Sequence, residues 1–191
     1  MIIIGLKDKS INNKRTRGIF MANQVVKTIK FVLQKSAQYN TNHQANKKHT
    51  QCKPVDENSF LEGTVDNSGT TACALSDERG GVYGFAIELT KTQKKKFFKD
   101  IVKAGFNRRI QNLDNWTPIT DNYYPLYWGK DVNLGFRLYE HTKASQTCAS
   151  IALCRSEFAG YKIIYGAVLC KNRDVYENIL HYDYPDLLKN A

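Results

Sequence analysis

Three short apolar runs, each followed by a helical pattern, constrain this chain most: Gly81–Thr90 (GVYGFAIELT), Pro125–Lys130 (PLYWGK) and Tyr161–Cys170 (YKIIYGAVLC). All three are rich in β-branched and aromatic residues, which suit a pleated, half-buried surface and predict strands. Residues 91–104 predict an amphipathic helix, with Phe97, Phe98, Ile101 and Val102 as its apolar face and lysines elsewhere. Residues 131–143 predict a second helix, with Leu134 and Leu138 at i, i+4. A closing helix from Asn172 to about His181 has Val175, Ile179 and Leu180 as its apolar face, and Pro185 ends it. This order predicts an α+β domain: a small central three-stranded sheet flanked by helices, with a helical insertion between the first two strands. The third strand is apolar almost throughout, which suits a position covered on both faces.

The N-terminal part differs in character. Residues 1–20 show no helical spacing, whereas Val25, Val26, Ile29, Val32 and Leu33 predict a helix starting near Ala22. Residues 52–80 are loop-like, with Pro54, Gly63, Asn67, Ser68, Gly69 and Gly80. The expected organisation is a basic, partly helical arm over 1–60, a linker over 61–79, and a domain over 80–191 carrying an insertion at 91–124.

The chain holds 28 Lys+Arg against 18 Asp+Glu, a net charge of +10. Residues 1–60 hold 11 Lys/Arg and 3 Asp/Glu, and residues 91–109 hold eight Lys/Arg against Asp100 alone. Concentrated cation of this kind suits a polyphosphate partner if a phosphate-processing site lies close by; otherwise it is a solvated face. Mean hydropathy is −0.49, and no apolar run approaches the ~18 residues of a membrane span. The start, Met1 to Leu6, is too short for a signal-peptide core. Five cysteines, an odd number without a CxxC pair, predict reduced thiols and a cytoplasmic location. No Walker-A or GxGxxG glycine loop occurs, and Cys148 and Cys154 lack the partner pair of a zinc site.

Polar residues recur at the edges of these elements: Tyr83 and Tyr127 in the first two strands, Lys130 at a strand end, Arg137 and His141 one turn apart on a helix, Glu177 on the last helix. Singly, each has a blander role. A strand tyrosine commonly rims a core, and Arg137 with Glu140 three residues on commonly forms a surface pair. Together, GVY at Gly81–Tyr83, YWG at Tyr127–Gly129, the continuation GKxxNLxxRLxEH from Gly129 to His141, and YENIL at Tyr176–Leu180 resemble the GIY-YIG nuclease superfamily, most closely its small stand-alone restriction endonucleases. The likeness covers residues 80–191. It departs at Trp128, where the superfamily usually has an aliphatic residue, and in the separation of the two tyrosines, 44 positions apart where the superfamily commonly joins these strands by a tight hairpin.

The resemblance implies a metal-dependent DNA endonuclease, with a type II restriction enzyme cutting a short duplex site as the leading expectation. The alternatives are a structure-directed, mobile-element or repair nuclease, or a non-catalytic nucleic-acid-binding module on the same scaffold. By resemblance, Arg137 would fork onto the scissile phosphate, and Glu177 would hold Mg²⁺ or Mn²⁺. Tyr83 would act as base or water-orienting group, with Tyr127 supporting it, and Lys130 and His141 would complete the catalytic set. Asn190 would brace Glu177. The cationic insertion offers Lys94, Lys95, Lys96, Lys99, Arg108 and Arg109 to double-stranded DNA. A palindromic site implies a homodimer or homotetramer, and a restriction role implies a cognate DNA methyltransferase.

Overall fold

The computed structural model describes residues 22–43, 60–65, 80–143 and 150–189. Helix α1 spans Gln24–His43, and strand β1 spans Phe60–Val65. Strand β2 (Gly81–Glu88) is followed by helix α2 (Lys91–Lys103), strand β3 (Tyr123–Asp131), helix α3 (Leu134–Thr142), strand β4 (Ile163–Leu169) and helix α4 (Arg173–Asp183). The strands form one antiparallel sheet in the order β1-β4-β2-β3. The α+β class is as expected, but the sheet has four strands among the described residues rather than three. β1 falls across the boundary between the expected arm and linker, and it pairs along its whole length with β4, from Phe60 opposite Val168 to Val65 opposite Ile163. The insertion also shifts: Tyr123 and Tyr124 belong to β3, so it occupies residues 89–122.

Both faces of the sheet are covered, which is why β2 is buried from Gly81 to Ile87. One face packs α2, α3 and the 110–116 and 151–158 segments around Tyr83, Phe85, Ile87 and Leu126. The other packs α1 and α4 around Val82, Ala86, Trp128, Ile164 and Val168. The basic arm therefore contributes a core helix: Val25, Val26, Ile29, Val32 and Leu33 are all buried. Gly166 makes this approach possible, since a Cβ there would lie 2.8 Å from a Val26 methyl. Asn23 fixes the start of α1, accepting the Val26 N–H on its side-chain oxygen and donating to the Tyr165 carbonyl at 2.7 Å.

α2 begins with a reciprocal capping box between Thr90 and Gln93. Its buried side chains are Phe97 and Ile101, with Phe98 half-buried against the same core, whereas Val102, expected on the apolar face, is exposed. On α4 the buried side chains are Tyr176 and Leu180, and Val175 is exposed for the same reason: the docked face is rotated from the one the spacing suggests.

The outer edge of β3 is not open. The C-terminal segment lies along it, with Leu187 N–H donating to the Pro125 carbonyl at 3.2 Å and Leu188 N–H to the Leu126 carbonyl at 2.8 Å. The insertion pairs with the far side of that segment through Arg109 N–H to the Leu187 carbonyl at 2.7 Å. Pro125, lacking an N–H, therefore sits on an edge strand that needs only its carbonyl. Among the described residues, no helix is long and apolar enough to cross a membrane.

Candidate functional site

The run from Gly129 to His141 folds as a strand end, a turn and a helix, and each part has a local cause. Gly129 lies opposite Tyr83. A Cβ at Gly129 would meet the Tyr83 ring at 2.5 Å, so only glycine lets the phenol cross the strand. Asp131 accepts the Asn133 N–H at 2.8 Å, and Asn133 caps α3 by accepting the Phe136 N–H at 3.1 Å. Leu134 and Leu138 are buried in the core and set the rotation of α3, so Arg137 and His141 face the sheet.

Tyr127 reaches the same face through a β-bulge. The register slips after Phe85, which pairs with Tyr127, while Ala86 pairs with Pro125. Leu126 is the extra residue, and it and Tyr127 both enter the core cluster on the α3 side, whereas Trp128 enters the other. Strict alternation from Tyr124 would have sent Tyr127 to the opposite face; the bulge re-aims it. Trp128 is accommodated by Gly84, where a Cβ would lie 2.2 Å from the indole. The indole N–H donates to the Tyr184 carbonyl at 2.8 Å.

The result is a buried polar cluster. His141 Nε2 lies 2.7 Å from Tyr83 Oη. The Tyr127 ring centroid is 4.8 Å from His141 and 6.0 Å from Tyr83. Arg137 adjoins the Tyr83 hydroxyl. It also donates from Nη1 to Glu140 at 2.8 Å, and its Nε is 4.0 Å from Asp131. Burial pushes the Tyr83 phenol well above its ordinary pKa, with Tyr127 adding to the effect and Arg137 opposing it. Burial, reinforced by Arg137, pushes His141 down to about 3, so its imidazole is neutral at pH 7.

Lys130 and Glu177 form a second group. Lys130 follows Trp128 by two residues and points to the α4 side. Its ammonium holds Asp174 at 2.6 Å and Glu177 at 2.8 Å, and Asp174 and then Glu177 raise its pKa. The six candidates therefore fall into two sets on opposite faces of the sheet. They flank one place, the Lys130–Asp131 end of β3. Asp174, three residues before Glu177 on one helix face, was legible in the spacing but not in the motif. Asn190 lies outside the described residues.

The two carboxylates converge on a single cation, the Lys130 ammonium, and their hard oxygens fit Mg²⁺ or Mn²⁺ in exchange for it. Among the described residues no group of three or more His, Cys, Asp or Glu converges. A divalent ion here would take the rest of its shell from water and substrate oxygens.

The cationic insertion is partly committed. Arg109 Nε pairs at 2.8 Å with Asp186, a fully buried carboxylate, while the Arg109 side chain stays 41% exposed. Lys96 pairs with Asp100 at 3.0 Å. Lys94 lies 4.8 Å over the Tyr124 ring, and partial burial lowers its pKa. Arg108 forms a β-bridge with Leu188 through its backbone. Lys95 and Lys99 are exposed on α2. Compared with protein-family models, curated proteins and solved structures, the chain matches none.

Proposed function

We propose that this chain is a metal-dependent DNA endonuclease of the GIY-YIG type. In this reading it is a restriction enzyme that cuts a short duplex site as a homodimer or homotetramer. The observation that carries the reading is the convergence of Tyr127, Arg137 and His141, from the β3–turn–α3 run, on Tyr83 of the neighbouring strand β2.

In hydrolysis of a phosphodiester the attacked group gains negative charge, and donors fixed beforehand stabilise it. Arg137 supplies a planar fork, held by Glu140 so that its remaining N–H groups are oriented before substrate arrives. Tyr83, kept as a phenol by burial, serves to orient the attacking water rather than to remove its proton. Asp174 and Glu177 would hold the divalent cation, which when bound would stabilise charge on the leaving oxygen. Lys130, released from them, faces the phosphate as a point charge.

Incubating plasmid with the protein and Mg²⁺ and mapping the ends tests this. Defined ends are expected; absence of cleavage across DNAs and metals would sink the reading, and scattered ends would remove its restriction form. Arg137→Ala and Glu177→Gln should each lower kcat by about 10²–10³, and Glu177→Gln should still bind DNA. The occupation of Glu177 by Lys130 favours one other reading, a binding module; undiminished DNA binding in EDTA with no cutting in Mg²⁺ would decide for it. Replacing Lys95 and Lys99 together by Ala should weaken binding and lower the slope of log K against log salt by roughly 1 for each phosphate no longer neutralised. An unchanged slope would assign those lysines to solubility.

A further inference from the structure

His141 is held at both ring nitrogens. Nδ1 accepts the backbone N–H of Ile151 at 3.2 Å, and Nε2 lies 2.7 Å from Tyr83 Oη. A neutral imidazole carries one proton. With Nδ1 accepting, that proton is on Nε2, and the Tyr83 oxygen is its acceptor.

The chain that supplies the Ile151 N–H is tied to the end of α3 at several points. Leu153 N–H donates to the His141 carbonyl at 2.9 Å. The Ser150 hydroxyl lies 2.8 Å from the carbonyls of both Glu140 and Lys143, and it accepts the Ala152 N–H at 3.0 Å. Ala152 adopts φ 52, a left-handed conformation that a residue with a Cβ adopts only when its surroundings impose it. Backbone strain, anchoring hydrogen bonds and a backbone donor thus coincide on the short run from Ser150 to Leu153, with the donor aimed at a buried imidazole.

We propose that Ser150–Leu153 is a positioning element that fixes His141 as its Nε2–H tautomer. A donor is thereby placed on the Tyr83 oxygen, and the proton of Tyr83 is turned away from His141 and toward Tyr127. The inference rests on the reading of Tyr83 as part of a phosphodiester site, but the tautomer is measurable without any substrate.

The full chain labelled with ¹⁵N-histidine, read by long-range proton–nitrogen correlation at pH 7.5, reports the tautomer; loss of one signal set in His141→Gln assigns it. The expected result is a single Nε2–H form. In Ser150→Ala, which removes the hydroxyl's ties to the end of α3 and so loosens the strap, an Nδ1–H population should appear, and kcat for cleavage should fall about tenfold with KM for DNA unchanged. His141→Gln, whose amide can donate from the Nε2 position, should keep most of the activity that His141→Ala loses. An Nδ1–H form in the wild type, or an unchanged tautomer in Ser150→Ala, would overturn the proposal. A wild type that shows the Nε2–H form and cuts no DNA would overturn the nuclease reading and leave the tautomer assignment standing.

Discussion

Replacing Asp186 by Ala is expected to lower the free energy of unfolding by about 2–4 kcal/mol, from a buried N–H left unsatisfied together with the loss of a half-exposed ion pair. Asp186 is fully buried, and each of its oxygens is used. Oδ2 accepts the backbone N–H of Trp128 at 2.9 Å. Oδ1 lies 2.8 Å from Arg109 Nε and 3.0 Å from His181 Nδ1. One carboxylate therefore joins β3, the insertion and α4, the three elements that carry Tyr127, the cationic helix and Glu177. Its loss leaves an unsatisfied N–H in β3 beside Tyr127 and strands a guanidinium against the sheet edge. Arg109→Ala should cost less, because the Arg109 side chain is 41% exposed and its removal leaves Asp186 with two of its partners. Urea titrations followed by far-UV circular dichroism measure both. A loss below about 1 kcal/mol for Asp186→Ala would mean that the Leu187 and Leu188 backbone pairing alone holds the edge.

The contrast between Asp186 and its neighbours shows what a linear reading can and cannot see. The strands β2, β3 and β4 and the helices α2, α3 and α4 were legible because apolar spacing and breakers act over a few residues. The capping box of Thr90 and Gln93 and the Asn133 cap of α3, found in the structure, are equally local. β1 was not legible. Its six residues, FLEGTV, carry Glu62 and Gly63 in the middle, and they become a strand only because β4, about a hundred residues later, offers a free edge. The helix read as part of a basic arm belongs to the core for the same kind of reason: Gly166 leaves room for Val26. The bulge after Phe85 has no local marker that fixes its position, yet it decides which face Tyr127 joins. Among the site residues, the i, i+4 relation placed Arg137 and His141 together, and the motif gathered Tyr83 and Tyr127 with them. Neither could foretell that Lys130 and Glu177 would be set on the opposite face, or that Arg109 would pair with a buried carboxylate. Those outcomes depend on strand alternation and on a carboxylate that follows Pro185 with nothing in its neighbourhood to announce its partners.

The second large effect is on acid stability. Between pH 6.5 and 4.5 the gap in unfolding free energy between the wild type and His141→Gln is expected to narrow, at a rate that rises from about half of 1.4 kcal/mol per pH unit at pH 6.5 to about 1.4 at the acid end. In the unfolded chain His141 takes a proton at its ordinary value near 6.5, whereas in the folded chain burial and then Arg137 hold it down to about 3. Below pH 6.5 the unfolded state therefore binds one proton that the folded state does not. Stability rises with pH across that window, falls as acid is added, and is flat in this respect above pH 7. The groups packed on the imidazole are Tyr83, Tyr127, Phe85 and the Ile151 N–H, with Arg137 beside them. None of these supplies an anion to welcome the imidazolium. The carboxylates that ion pairs hold below their ordinary range, Glu88, Glu157 and Asp174, act in the same direction but titrate in more acid solution. The window from 6.5 to 4.5 thus isolates the histidine, and subtracting the Gln variant removes every other titrating group. Chemical denaturation at four pH values across the window gives the slope. A gap that stays constant would mean that His141 is protonated in the folded protein, with Tyr83 as its acceptor only through a charged ring, and the neutral hydrogen-bonded pair at the centre of the cluster would have to be abandoned.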